Sequence, residues 1–165
     1  MDRDAERFSV RQAIVGDEPT LRDLRLQAMT DSPEAFGSTY QRELARTTLD
    51  WQRWLAPGIT LLLEDAGRGV GIVAGQPDPV DPHTVHLMAM WVHPEARGSG
   101  GADALVTALL KWAEARGATL VCLDVIKSNG RATRFYERHR FRPTGAETRR
   151  DRDGRVEVRM QRTIG

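Results

Sequence analysis

Val92-His93-Pro94-Glu95-Ala96-Arg97-Gly98-Ser99-Gly100-Gly101-Ala102 is the stretch that decides how this chain folds. An apolar run, Val85 to Val92, leads into it, and an amphipathic run from Ala102 to Ala115 leads out. The pattern predicts a strand, a glycine-rich turn and a helix. Such a turn aims successive backbone N–H groups at one spot, and the positive end of the helix dipole adds to them. A phosphate or pyrophosphate is the ligand this geometry favours.

Three glycine-rich loops compete for the stretch. A nucleoside-triphosphate loop ends in Gly-Lys followed by Ser or Thr, whereas Gly101 is followed by Ala102. A dinucleotide fingerprint beginning at Gly98 needs a third glycine where Asp103 stands. The third option fits. Arg97-Gly98-Ser99-Gly100-Gly101-Ala102 resembles the (Gln/Arg)-x-x-Gly-x-(Gly/Ala) loop of the GNAT superfamily, the acyl-CoA-dependent N-acyltransferases. Asn129-Gly130-Arg131-Ala132-Thr133-Arg134-Phe135-Tyr136-Glu137 resembles that family's later Asn-x-x-Ala-x-x-x-Tyr helix, and Phe141-Arg142-Pro143-Thr144-Gly145 its Gly-Phe-x-x-x-Gly segment. One position departs: Arg140 occupies the place of the usual glycine, where a non-glycine must adopt the helix-ending conformation at some cost.

The rest of the chain reads as follows. Phe8 to Ile14 is a first strand, and a helix starts at Asp17 and Pro19 with Leu21, Leu24, Ala28 and Met29 as its buried stripe. Asp31-Ser32-Pro33 ends that helix, and Thr39 to Leu55 forms a second one with a break near Thr47-Thr48. Ile59 to Glu64 and Val70 to Gly75 make a hairpin around Asp65 to Gly69. Pro77 to Pro82 is a loop, followed by a strand over 84–92, a helix near 100–116, a strand over 119–126 and a helix over 130–139. Asp151 to Gly154 turns the chain between two last strands. The resemblance implies that residues 1–165 form a single α/β (α+β) GNAT domain, a mixed central sheet of about seven strands flanked by helices.

Composition bounds the function. With 40% apolar and 28% charged residues in 165, this is ordinary globular composition, with no apolar stretch of membrane-spanning length. Asp2, Arg3, Asp4, Glu6 and Arg7 give no secretory signal, and the single cysteine, Cys122, fits a reducing compartment. A cytoplasmic protein is expected, with Cys122 buried in an apolar strand. Residues 127–165 carry twelve basic against five acidic residues, while residues 1–126 carry twelve against eighteen. The basic residues are interrupted by Glu137, Glu147, Asp151, Asp153 and Glu157 and lack an aromatic stripe, so they suit CoA phosphates better than nucleic acid. His83, His86 and His93 make no convincing metal set.

The resemblance implies an acetyl-CoA-dependent N-acetyltransferase that needs no metal. It assigns the pyrophosphate to the backbone of Arg97, Gly98, Ser99, Gly100, Gly101 and Ala102, and the pantetheine arm to the strand end at Met90, Trp91 and Val92. The amide near Met90 is expected to polarise the thioester carbonyl. Asn129, Arg131, Ala132 and Tyr136 fall on the CoA side, with Arg134 a further phosphate partner. Tyr136 is the expected general acid, because a phenol of pKa ~10 stays protonated beside a thiol of ~8.5. His86 and Glu43 are the candidate bases, and Glu34 and Phe36 the candidate contacts for the acceptor. A small-molecule amine or amino acid derivative is the expected partner, and homodimerisation is open. A protein N-terminus or lysine as acceptor, and a non-catalytic CoA-binding module, stay open beside it. Trp51 and Trp54 fit a pocket or an interface equally well.

Overall fold

The computed structural model describes residues 7–165; Asp2, Arg3, Asp4 and Glu6 lie outside them. Seven strands form one sheet in the order β1-β2-β3-β4-β5-β7-β6, with β1 at Phe8–Gln12, β2 at Ile59–Asp65, β3 at Arg68–Pro77, β4 at Thr84–Val92, β5 at Leu120–Ile126, β6 at Arg142–Arg149 and β7 at Val156–Thr163. Every neighbouring pair is antiparallel except β4 and β5. The expected mixed sheet is therefore present.

Helices cover both faces. On one face lie α4 (Gly101–Ala115) and α5 (Gly130–Arg138). The stripe Leu105, Val106, Leu109, Leu110 and Ala113 of α4 is buried against β2, β3 and β4 with Leu63, Val73, Val85 and Leu87. Each fully buried leucine there contributes about 1.5–3 kcal/mol relative to leaving it exposed. On the other face lie α1 (Glu18–Asp31), α2 (Tyr40–Ala45) and α3 (Thr48–Gln52), packed through Leu21, Leu24, Ala28, Met29 and Trp51 on Leu62, Ile72 and Trp91. Among the described residues no helix is long and apolar enough to cross a membrane.

The helix expected over Thr39 to Leu55 is two short ones. The first ends at Ala45 with Arg46 extended after it, and Thr47 caps the second: its hydroxyl accepts from Asp50 N while its own N–H donates to the Asp50 carboxylate. Asp17 precedes α1 without capping it, because its carboxylate takes Arg11 and the Ile14 N–H instead. Trp51 is buried in the second core, its ring tilted 56° to that of Trp54 at a centroid distance of 5.3 Å. Arg140 adopts φ +65°, the left-handed conformation expected after α5.

Candidate active site

The parallel pairing of β4 with β5 runs only over Thr84–Leu120, Val85–Val121 and His86–Cys122, and beyond His86 the strands part. A bulge lies in the diverging half of β4. Ala74 opposes Met88 and Ile72 opposes Trp91, so Val73 faces both Ala89 and Met90, with Ala89 at φ +59°. Strain of this kind on a non-glycine residue is concentrated at functional sites. His93 N donates to Val70 O, so the alternation of the antiparallel ladder turns the backbone groups of Val92 away from β3 and toward the gap. Trp91 sends its side chain to the opposite face, into the α1 core, leaving only its backbone near β4's exposed edge.

The glycine-rich loop stands at the mouth of this gap. Pro94–Ala96 make a 3-10 turn, Gly98 and Gly100 take φ +77° and +84°, and Gly100 occupies the N-cap of α4 without any side-chain cap. A Cβ on Gly98 or Gly100 would meet nothing, so these two are needed for backbone conformation. Gly101 is different: a Cβ there would lie 2.3 Å from Leu63 Cδ2, so its task is close packing of the helix on β2. The loop braces itself, with Ser99 Oγ donating to Ala96 O at 2.5 Å and accepting from Gly101 N at 3.2 Å. The Gly101 amide, expected to meet a ligand, is thus already occupied. Arg97 turns its guanidinium back over the protein surface: Nε donates to Val92 O at 3.0 Å and Nη2 pairs with Asp31.

Beyond β5, the Asn129 side chain caps α5 by accepting from Ala132 N at 3.1 Å, and Ala132 packs on the core. Tyr136 lies two turns on, 8% exposed, with its ring edge-on to Phe141 at 5.8 Å. Burial pushes the phenol well above its ordinary range, so it is protonated at neutral pH. Arg131 and Arg134 are exposed on the outer face of the helix.

The α1 face carries the remaining candidates. His86 Nε2 meets Asp78 Oδ2 at 2.7 Å and Nδ1 meets Cys122 Sγ at 3.2 Å. Asp78 is fixed by the Val80 and Asp81 N–H groups, and the His86 hydrogen bond with those amides lowers its pKa to about 2. Cys122 is buried, and burial pushes its thiol upward. Glu34 is exposed.

One candidate base and one candidate acceptor contact are buried instead. Glu43 is wholly inaccessible, bound by Arg46 Nε at 2.8 Å and by Arg25 Nη2 at 3.4 Å, so it neutralises arginines rather than facing a substrate. Phe36 belongs to the α1 core, its ring 5.1 Å from the Arg25 guanidinium. Three residues that the sequence did not single out, Asp31, Asp78 and Arg150, hold the site's elements together. The segment 33–36 is tied to the β6–β7 turn by Arg150, which donates to Phe36 O at 2.8 Å and Glu34 O at 2.7 Å.

A family model described as the acetyltransferase (GNAT) family matches residues 22–141, and the chain belongs to this family. It is 34% identical over 125 residues to a mycothiol acetyltransferase of Thermobispora bispora, covering 73% of this chain and 41% of that protein. It is 40% identical over 73 residues to an L-2,4-diaminobutyric acid acetyltransferase of Nocardia farcinica, covering 44% of this chain and 38% of that protein. The chain thus spans about two fifths of the length of these relatives. Among solved structures, an acetyltransferase of Salmonella typhimurium with its cofactor acetyl-CoA superposes with a TM-score of 0.79 at 18% identity, over 96% of this chain and 95% of that one. A ribosomal-protein-alanine N-acetyltransferase of Brucella melitensis gives 0.80 at 20% identity, over 94% and 99%. These two likenesses show the fold alone.

Proposed function

We propose that this chain transfers the acetyl group of acetyl-CoA to the primary amine of a small molecule or amino acid derivative, by direct attack in a ternary complex. The observation that carries the reading is the parting of β4 from β5 beyond His86, with the glycine-led N-terminus of α4 at its mouth. The loop amides at that N-terminus suit a pyrophosphate, and a gap with outward-turned β4 backbone suits an amide-bearing arm. A small acceptor is favoured by the two sequence relatives, which are named for mycothiol and for L-2,4-diaminobutyric acid, both small molecules.

The roles follow from the side chains. The acceptor nitrogen bonds to the thioester carbonyl carbon as the C–S bond breaks. Tyr136, kept protonated by burial, donates its phenolic hydrogen to the departing sulfur; because the thiol's pKa of ~8.5 lies below that of the phenol, this stabilises the developing thiolate as a hydrogen bond rather than as a downhill proton transfer. Backbone N–H groups at the Ala89–Met90 bulge stabilise the developing oxyanion. His86, paired with Asp78 at Nε2 and with the Cys122 thiol at Nδ1, is the candidate to take, through water, the proton that the amine must lose. Glu34, exposed after α1, is the side chain offered to a cationic acceptor.

The test is CoA thiol release from acetyl-CoA across a panel of amines, amino acids and short peptides, with CoA binding followed separately by calorimetry. Turnover on small amines with kcat lowered at least about tenfold in Tyr136→Phe, at unchanged CoA affinity, is the expected result. Turnover on peptides alone overturns the acceptor class, and an unaffected Tyr136→Phe variant removes the tyrosine from the reaction.

A further inference from the structure

Asp31 is the last residue of α1 and immediately precedes the segment Ser32–Phe36, which carries Glu34, the exposed residue proposed to meet the acceptor. Its carboxylate gathers donors from three elements. Trp91 Nε1 of β4 reaches Oδ2 at 3.0 Å, Ser32 Oγ reaches it at 2.8 Å, and Arg97 Nη2 pairs with the same oxygen. Arg97 heads the glycine-rich loop, and its Nε holds the end of β4 through Val92 O at 3.0 Å. The arginine that sequence places at a phosphate loop is therefore engaged, at the protein surface, by the end of α1.

The same segment is held from its other side. Arg150 and Arg152 of the β6–β7 turn donate to Phe36 O at 2.8 and 2.7 Å, and Arg150 to Glu34 O at 2.7 Å. Ser32–Phe36 is thus suspended between the β6–β7 turn and the glycine-rich loop, and Asp31 is its connection to the loop. Burial raises the Asp31 pKa, but the bonds from Trp91, Arg97 and Ser32 outweigh it, so the carboxylate stays ionised at neutral pH.

We propose that Asp31 is a positioning residue that couples the two substrate sites: through Arg97 it sets the glycine-rich loop, and through the end of α1 it sets Ser32–Phe36, so that a phosphate ligand in the loop orders the acceptor segment. The coupling is reciprocal, because an acceptor that orders the segment must tighten the phosphate ligand by the same factor. The inference rests on the loop being the CoA site. It identifies Asp31–Arg97 as one unit sixty-six residues apart in sequence.

Free coenzyme A is the probe. In Asp31→Asn the carboxamide keeps the shape and an acceptor for Trp91 but loses the charge opposite Arg97. Its Kd for CoA, measured by calorimetry, should rise about tenfold, as should that of Arg97→Gln, since each removes one charge-assisted hydrogen bond. The double variant should be no weaker than either single variant, because both act through one contact. Hydrogen exchange gives a second readout: CoA should slow exchange across residues 32–39 in the wild type and fail to do so in Asp31→Asn at saturating CoA. Should Asp31→Asn fail to fold, Arg97→Gln removes the same bond from the loop side and must show the same loss of protection. Kd values within twofold of wild type, multiplicative effects in the double variant, or undiminished protection at 32–39 would overturn the coupling. Absence of CoA binding by the wild type would instead overturn the loop assignment beneath it.

Discussion

Replacing Glu43 by Gln separates a structural carboxylate from a catalytic one. Glu43 has no exposed surface and Arg25 is 5% exposed, packed between the rings of Phe36 and Trp54 at 5.1 Å each. Arg25 Nε and Nη1 have no other hydrogen-bond partner, so Glu43 is its main compensation. The substitution leaves a buried guanidinium without counter-charge and aims a carboxamide at donors that need an acceptor. Breaking a buried pair from one side costs about 3–5 kcal/mol. The second partner, Arg46, is partly solvated and adds little. Taking the lower figure, about 3 kcal/mol corresponds to a Tm lowered by roughly 6–12 °C in a domain of this size. Circular dichroism melts and urea titrations at constant m value measure it. The acid limb of stability should change as well. Burial pushes the Glu43 carboxyl upward, but the Arg46 hydrogen bonds and the charges of Arg25 and Arg46 outweigh it, and the folded-state pKa lies below the ordinary value. Its stabilisation is present above about pH 4.3 and is lost as pH falls through the depressed folded pKa, so Glu43→Gln should flatten that limb. The folded variant should keep its kcat. A variant that melts within a degree of wild type but loses kcat tenfold would refute the structural role and return Glu43 to the chemistry.

Other substitutions probe single features. Arg140→Gly relieves the left-handed φ of +65° on an exposed side chain; the strain of about 1–2 kcal/mol, less about 0.5–1 kcal/mol for glycine's entropy, predicts a net gain of about 0.5–1 kcal/mol in a melt. Gly101→Ala drives a methyl against Leu63 and should destabilise by about 1–3 kcal/mol, partly recovered by Leu63→Val. Gly100→Ala has room for its methyl but sits at φ +84°, so its penalty of about 1–2 kcal/mol should be unaffected by Leu63→Val. Asp78→Asn removes the carboxylate that orients His86 and should lower kcat about tenfold in steady-state assays without changing the KM for acetyl-CoA.

What was legible in the sequence was local. Strand β4 ends at Val92 where the apolar run ends, and α4 begins at Gly101 where the glycines end. Both boundaries follow from side-chain periodicity and turn chemistry within about a dozen residues. The break between α2 and α3 was written in Thr47-Thr48-Leu49-Asp50, a capping box with Asp in place of Glu. Arg25 was hidden for the opposite reason. It occupies the buried stripe of α1 beside Leu21, Leu24, Ala28 and Met29, a place where the pattern asks for an apolar residue. Only Glu43, eighteen residues on and brought over it by α2, makes that placement tolerable. Glu43 read alone is an acidic side chain on a short polar helix, a pattern that fits a base as well as a structural carboxylate.

Arg97 shows where this boundary lies within a single residue. Its position at the head of the glycine-rich loop is fixed by local spacing, and local spacing is what made the loop recognisable. The direction of its side chain is set by Asp31, Trp91 and Val92, on two elements that meet only when the sheet has formed. A guanidinium beside a phosphate loop invites assignment to the ligand. Here it fastens the loop to the end of α1, and under the proposed function the task of holding an anion would fall to the loop's backbone groups. The residue types that seem to name a ligand are thus partly spent on building the surface that meets it. For that reason the glycines at 98 and 100, which carry no chemistry of their own, are better evidence for the site than the arginine that precedes them.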